Sequence, residues 1–219
     1  MVSSGLEDRP AVSEVRLTIH LMAALTLLGI VLWMAFSRMA TASKEPPPDR
    51  QKPFVRVLAW TTFVVVLVQI SWGGIVAGLK AGYLSDTWPE IFGYLVPPGM
   101  FTLADTWFLS MFEPLTSNWI HRWFAFVVLF TTVAMYFTIR RASVQDNFLQ
   151  RWSALLVATT SVQILVGIST VLWGVPKYIA LLHQGVAIIV FMVALVVCHR
   201  IETAAKLSPR PEKIRAQIA

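Results

Sequence analysis

Residues 112–130, FEPLTSNWIHRWFAFVVLF, decide how the rest of the chain is read. Here a histidine, His121, stands just inside the start of an apolar run that continues to Ile139. An ionisable ring set in hydrocarbon is costly, so it implies a partner or a function. The placement recurs in LLHQGVAIIVFMVALVV, which holds His183, and in TIHLMAALTLLGIVLW, which holds His20. Three of the four histidines therefore stand at the same end of their apolar runs.

The composition fits that reading. Of 219 residues, 56 % are hydrophobic and only 14 % charged, and the mean hydropathy is +0.65. A soluble domain carries about a quarter charged residues. The chain reads as an integral membrane protein whose main surroundings are lipid. The formal charge of +6 does not point to nucleic acid, because the basic residues flank the apolar runs and set topology instead. The lone Cys198 excludes an internal disulfide and a cysteine metal cluster. The leader MVSSGLEDRPAVSE is polar and acidic, and is neither a signal peptide nor an Arg-rich transit peptide.

Five runs reach the roughly 20 residues that cross a bilayer: Val15–Phe36, Val57–Leu79, Trp119–Ile139, Trp152–Trp173 and Tyr178–Cys198. They predict helices, since an isolated strand leaves its backbone unsatisfied in lipid. The expected fold is all-α, with five transmembrane helices. Thirteen of the eighteen Lys and Arg fall between runs one and two, between three and four, or after five. That side is assigned to the cytoplasm or matrix, which puts the N-terminus outside. A bacterial plasma membrane is the preferred location, with the mitochondrial inner membrane as the alternative.

The inner stretch Ser37–Pro53, SRMATASKEPPPDRQKP, cannot pack a core and favours extended backbone. It divides the chain into a first helix over 1–37, a linker over 38–56, a helical unit over 57–200 and an inner tail over 201–219. The outer stretch Ala81–Ser117 is long for a connection and dense in aromatics. It predicts a short interfacial helix and a cap over the outer end of the bundle, or an aromatic belt alone.

The helical unit repeats internally. VQIxxG occurs as Val68–Gly73 and again as Val162–Gly167. His121/Ala125 and His183/Ala187 share a spacing of four, and so do His20/Ala24. The order is one histidine helix, followed by two pairs of a glutamine helix and a histidine helix. A duplicated pair predicts a four-helix bundle with a pseudo-two-fold axis. The first helix stands outside that scheme, as the closing helix of another unit.

His121 and His183 lie at matched depth, about 5–9 Å inside the outer helix ends at 1.5 Å per residue. Two facing imidazoles can hold one haem iron axially; the alternative is a hydrogen bond from each to a nearby carbonyl. Zinc would want three or four ligands. His199, beside Arg200, is expected to be solvated at the inner interface. Gly74, Gly78 and Gly82 form a flat face, for close helix packing or for a porphyrin. Arg122, Lys80 and Lys177 are the outer cations that haem propionates could use, or simply interfacial snorkelling residues. Gln69 and Gln163 lie deeper and need hydrogen-bond partners, with inter-helix bonding as the plain role. Glu113 is the one candidate acid or base, or else a solvated carboxylate.

At these residues the chain resembles haem A synthase, the membrane enzyme that oxidises a ring methyl of haem O to the formyl of haem A. VSEVRLTIHLMAALTL, GGIVAGLKAGYLSDTWPEIFGYLVPP, FEPLTSNWIHRW, VQILVGISTVLWGVP and ALLHQGVAIIVF carry the likeness, in family order and over nearly the whole chain. The resemblance implies eight helices in two halves, of which this chain is similar to the last helix of the first half and the complete second half. It implies haem b bound by His121 and His183, and haem O as substrate, with its last ligand falling on His20. The other first-half histidine and a functional glutamate have no counterpart here, and Ala81–Ser117 lacks the cysteine pair that some members carry. MVSSGLEDRP is similar to an internal family stretch, so the chain is expected to be part of a longer protein and inactive alone. Implied partners are haem O synthase and cytochrome oxidase assembly factors. The alternative is a non-catalytic haem b membrane protein for electron transfer or oxidase assembly.

Overall fold

Long helices account for most of the chain, and several of their boundaries have an identifiable local cause. The computed structural model describes residues 13–42, 52–142 and 146–207. The helices are α1 (Glu14–Ala42), α2 (Pro53–Gly78), a single turn α3 (Trp107–Ser110), α4 (Pro114–Ala142), α5 (Asn147–Leu172) and α6 (Lys177–Leu207). Pro53 begins α2, where a missing N–H costs nothing. The Asp146 side chain accepts from the Leu149 amide at the start of α5, and Gly174, at φ 69°, opens the turn into α6.

All the helices except α3 are long and apolar enough to cross a membrane. The shortest span has 26 residues, about 39 Å at 1.5 Å per residue, which exceeds the roughly 30 Å hydrocarbon core. The chain is an all-α integral membrane protein.

The closest helix pairs are α2 with α4 and α5 with α6, the two glutamine–histidine pairs of the repeat. α2 also packs on α6, and α4 on α5. The two histidine helices, α4 and α6, therefore face each other across the diagonal of the bundle. α1 lies outside it, against α2 and α6.

The inner half of the bundle is filled. Val55, Ile139, Leu149, Leu156 and Val197 are fully buried there. The outer half is open: on α6, burial is nearly continuous from Val190 to Ile201, yet Tyr178 is 84 % and Leu182 54 % exposed. The histidine pair lies in this open half.

Several boundaries move. α1 runs on to Ala42 and α2 starts at Pro53, so both ends of the expected linker are helical. The prolines between them lie outside the described residues. α4 starts at Pro114, five residues before Trp119, and α6 continues into the expected tail as far as Leu207. His199 is not solvated. It is 7 % exposed, its Nε2 pairs with Ser37 Oγ at 3.0 Å, and the Trp33 ring stands edge-on at 4.8 Å. The cause is packing: the inner end of α1 crosses α6 here, and Trp33, Phe36 and Ser37 lie against the ring.

Candidate functional site

The site begins with how the two rings are seated. A Cβ built on Gly73 would lie 3.0 Å from Cε1 of His121, and one on Gly167 would lie 2.8 Å from Cε1 of His183. Each glycine is the last residue of a VQIxxG motif, so each imidazole rests directly on the backbone of its paired helix. The glutamine one turn earlier completes the seat. Gln69 Nε2 donates to the His121 carbonyl at 3.0 Å, and the Gln163 amide pairs with Nε2 of His183 at 3.3 Å.

The two rings meet across the diagonal, with centroids 6.4 Å apart and planes at 82°. Nδ1 of both rings is buried without a hydrogen-bond partner. A buried polar atom in that state costs about 1–3 kcal/mol, so something outside the described contacts is expected to satisfy it. Metal–imidazole bonds are about 2 Å long, which places the centroids of two rings on opposite sides of one metal roughly 6 Å apart. The observed spacing matches. Among the described residues, no set of three His, Cys, Asp or Glu could hold a metal ion. The pair therefore suits a group that brings its own equatorial ligands, as haem does, better than zinc.

The other sequence candidates lie elsewhere. Gly74 and Gly78 face α1, not the rings: a Cβ on Gly74 would sit 2.9 Å from Thr18 Oγ1, and one on Gly78 would overlap the Glu14 backbone. That is close helix packing, and Ser71 adds a 3.1 Å bond to the Met22 sulfur along the same face. Lys177 is exposed at the first residue of α6, and His20 is exposed on α1. Glu113 is half-buried just before α4, and its main-chain carbonyl accepts from Ser117.

Arg122, next to His121, is engaged by the outer loop. Its Nε donates to Asn118 Oδ1 at 2.7 Å. Its Nη1 reaches the carbonyls of Thr87 at 2.8 Å and Glu90 at 3.2 Å, and Nη2 that of Ser85 at 3.4 Å. The guanidinium also lies 5.6 Å over the Trp88 ring. A planar fork suits this convergence of carbonyls, and it leaves the group few donors for a ligand. Asn118 holds the Ala81 carbonyl and Thr116 that of Met100, while Trp119 donates to Leu95 O at 2.7 Å. The first two turns of α4 thus fasten the loop over the histidine end. The expected cap is present, built from a single helical turn at Trp107–Ser110 and two short 3-10 turns. Sequence reasoning missed Thr116 and Asn118 as anchors; the polar triplet Thr116-Ser117-Asn118 at the head of an apolar run was the available signal.

Residues 1–195 match the family described as cytochrome oxidase assembly protein. The chain belongs to that family. It is 37 % identical over 212 residues to a heme A synthase of Bradyrhizobium sp. (strain ORS 278), covering 96 % of this chain and 55 % of the relative. It is 36 % identical over 196 residues to a heme A synthase of Brucella anthropi, covering 89 % and 53 %. The chain thus spans about half the length of the curated relatives it matches. No solved structure matches it.

Proposed function

We propose that the chain forms the haem b half of a haem A synthase, with His121 and His183 as the two axial ligands. The observation that carries this is the pair itself: rings 6.4 Å apart across the bundle diagonal, each on a glycine of a repeated motif, each with a buried, partnerless Nδ1. Haem b held there supplies one-electron transfer. The chain's own residues do the rest. The glycines let the rings in, Gln163 meets the His183 ring and Gln69 the His121 main chain, and the loop tied down by Arg122 shields the outer end from water. Lys177, exposed where α6 begins, is the cation we assign to a propionate. The parent reaction, oxidation of a haem O methyl to a formyl in oxidase assembly, is carried over from the similarity to heme A synthases.

Purified in detergent, the chain should show a low-spin b-type visible spectrum. His121→Ala and His183→Ala should each abolish it or convert it to high spin. Wild-type spectra from both variants would end the ligand assignment.

A second reading has its own support. His20 is exposed on α1, and no second histidine accompanies it among the described residues. A haem O site there would have a single histidine ligand among the described residues. By itself, then, the chain would be a haem b protein that transfers electrons or assists oxidase assembly. Haem O conversion in a host with a haem O supply separates the two readings.

A further inference from the structure

We propose that the glutamine of each VQIxxG motif is the positioning group of the histidine it faces, and that the two act unequally: Gln163 sets the electronic character of the His183 ring directly, whereas Gln69 acts on His121 only through the main chain. The inference rests on the haem reading above and adds to it residues that are not ligands. The motif recurs at the same place in both halves of the repeat. The contacts it makes differ in kind. The Gln163 amide meets a ring nitrogen at 3.3 Å, while the Gln69 amide meets the carbonyl of His121 at 3.0 Å.

The chemistry follows from what a metal does to imidazole. A ring that gives one nitrogen to a metal carries its proton on the other, and that N–H needs an acceptor; such partners orient the ring and raise its basicity. The Oε1 atoms of both glutamines are buried without a partner. A half-turn of the Gln163 amide brings its oxygen to the ring nitrogen that its Nε2 now faces, and satisfies both atoms. Gln69 has no such ring contact, so its removal alters position and leaves ring basicity alone. An accepted hydrogen bond makes the ligand more electron-rich and favours the oxidised metal, so its loss should raise the potential. A carboxylate in the same place accepts more strongly and should lower it.

The test is a spectroscopic redox titration of the full 219-residue chain in detergent, with Gln163→Leu, Gln163→Glu and Gln69→Leu beside wild type. The expected order of haem b midpoint potentials is Gln163→Leu above wild type, Gln163→Glu below it, and Gln69→Leu close to it. Wild-type potentials in both Gln163 variants overturn the proposal, and so does a Gln69→Leu shift as large as that of Gln163→Leu. Should Gln163→Leu purify without haem, Gln163→Glu decides alone, and a wild-type potential there overturns the proposal. Failure of the underlying reading looks different: the wild-type chain would hold no haem, or would keep its spectrum in His183→Ala. A haem lost in His183→Ala but unmoved in potential by either Gln163 variant sinks only the present inference.

Discussion

Neighbouring residues in the outer half of α4 have divided tasks. His121 points to the bundle diagonal, while Arg122 turns to the loop and gathers the carbonyls of Ser85, Thr87 and Glu90. Removing Arg122 leaves the buried Asn118 Oδ1 and the Ser85 carbonyl short of a donor, whereas the Glu90 carbonyl keeps the Thr87 hydroxyl. Arg122→Ala should therefore destabilise the loop by about 1–3 kcal/mol, the cost of an unsatisfied buried group. Arg122→Lys should recover little, because an ammonium cannot span the fork. Hydrogen exchange over residues 81–113 reports this directly, and protection equal to wild type in both variants would refute it. His199 behaves oppositely. His199→Ala removes the Ser37 hydrogen bond and the ring contacts with Trp33 and Phe36, so it should cost about 1–2 kcal/mol in detergent melting and leave the haem spectrum unchanged. A lost spectrum would assign His199 to the site.

At the scale of elements, two glycine faces of α2 serve two neighbours. Gly73 receives the ring of His121, and Gly74 with Gly78 receives α1. Adjacent residues in a helix point about 100° apart, so one short run can seat a ligand ring on one side and a helix on the other. Gly78→Val should push α1 away without disturbing the histidine pair. In a Cys198→Ala background, cysteines at Met22 and Ser71, whose native side chains touch at 3.1 Å, should cross-link readily. The same pair should cross-link poorly once Gly78→Val is added, while the haem spectrum stays as it was. Equal cross-linking would show that α1 does not depend on this face.

The whole molecule has a filled inner half and an open outer half, and among the described residues Arg38, Lys52, Arg56, Arg140, Arg141, Arg151 and Arg200 gather at the filled end. The charge bias predicts that the loop after α2 lies outside. Val96, 59 % exposed, is a suitable reporter: Val96→Cys in a Cys198→Ala background should react with an impermeant reagent on intact cells. Reaction only after lysis would invert the topology. Ser85 of the same loop is 9 % exposed, with its hydroxyl paired to Thr87 Oγ1 at 2.8 Å. The chain alone should hold one haem and form no haem A from haem O. Haem A made by it would mean that His121 and His183 serve the substrate.

The sequence by itself determined the number and kind of spans, because crossing hydrocarbon needs a long apolar run whatever surrounds it. It determined the repeat too, and with it the pairing of glutamine and histidine helices. Tertiary structure decided which glycines serve which neighbour. GGIVAG offers Gly73, Gly74 and Gly78 alike, and only the positions of α1 and α4 around α2 assign them. It decided the role of Arg122, whose partners are carbonyls 32 to 37 residues away that no local pattern marks. It also reversed the reading of His199. Trp33, Phe36 and Ser37 of α1 close over that ring, and Ser37 is 162 residues away in the chain. Burial of a ring depends on which helix passes over it, a property of packing that the chain's own run of residues does not contain.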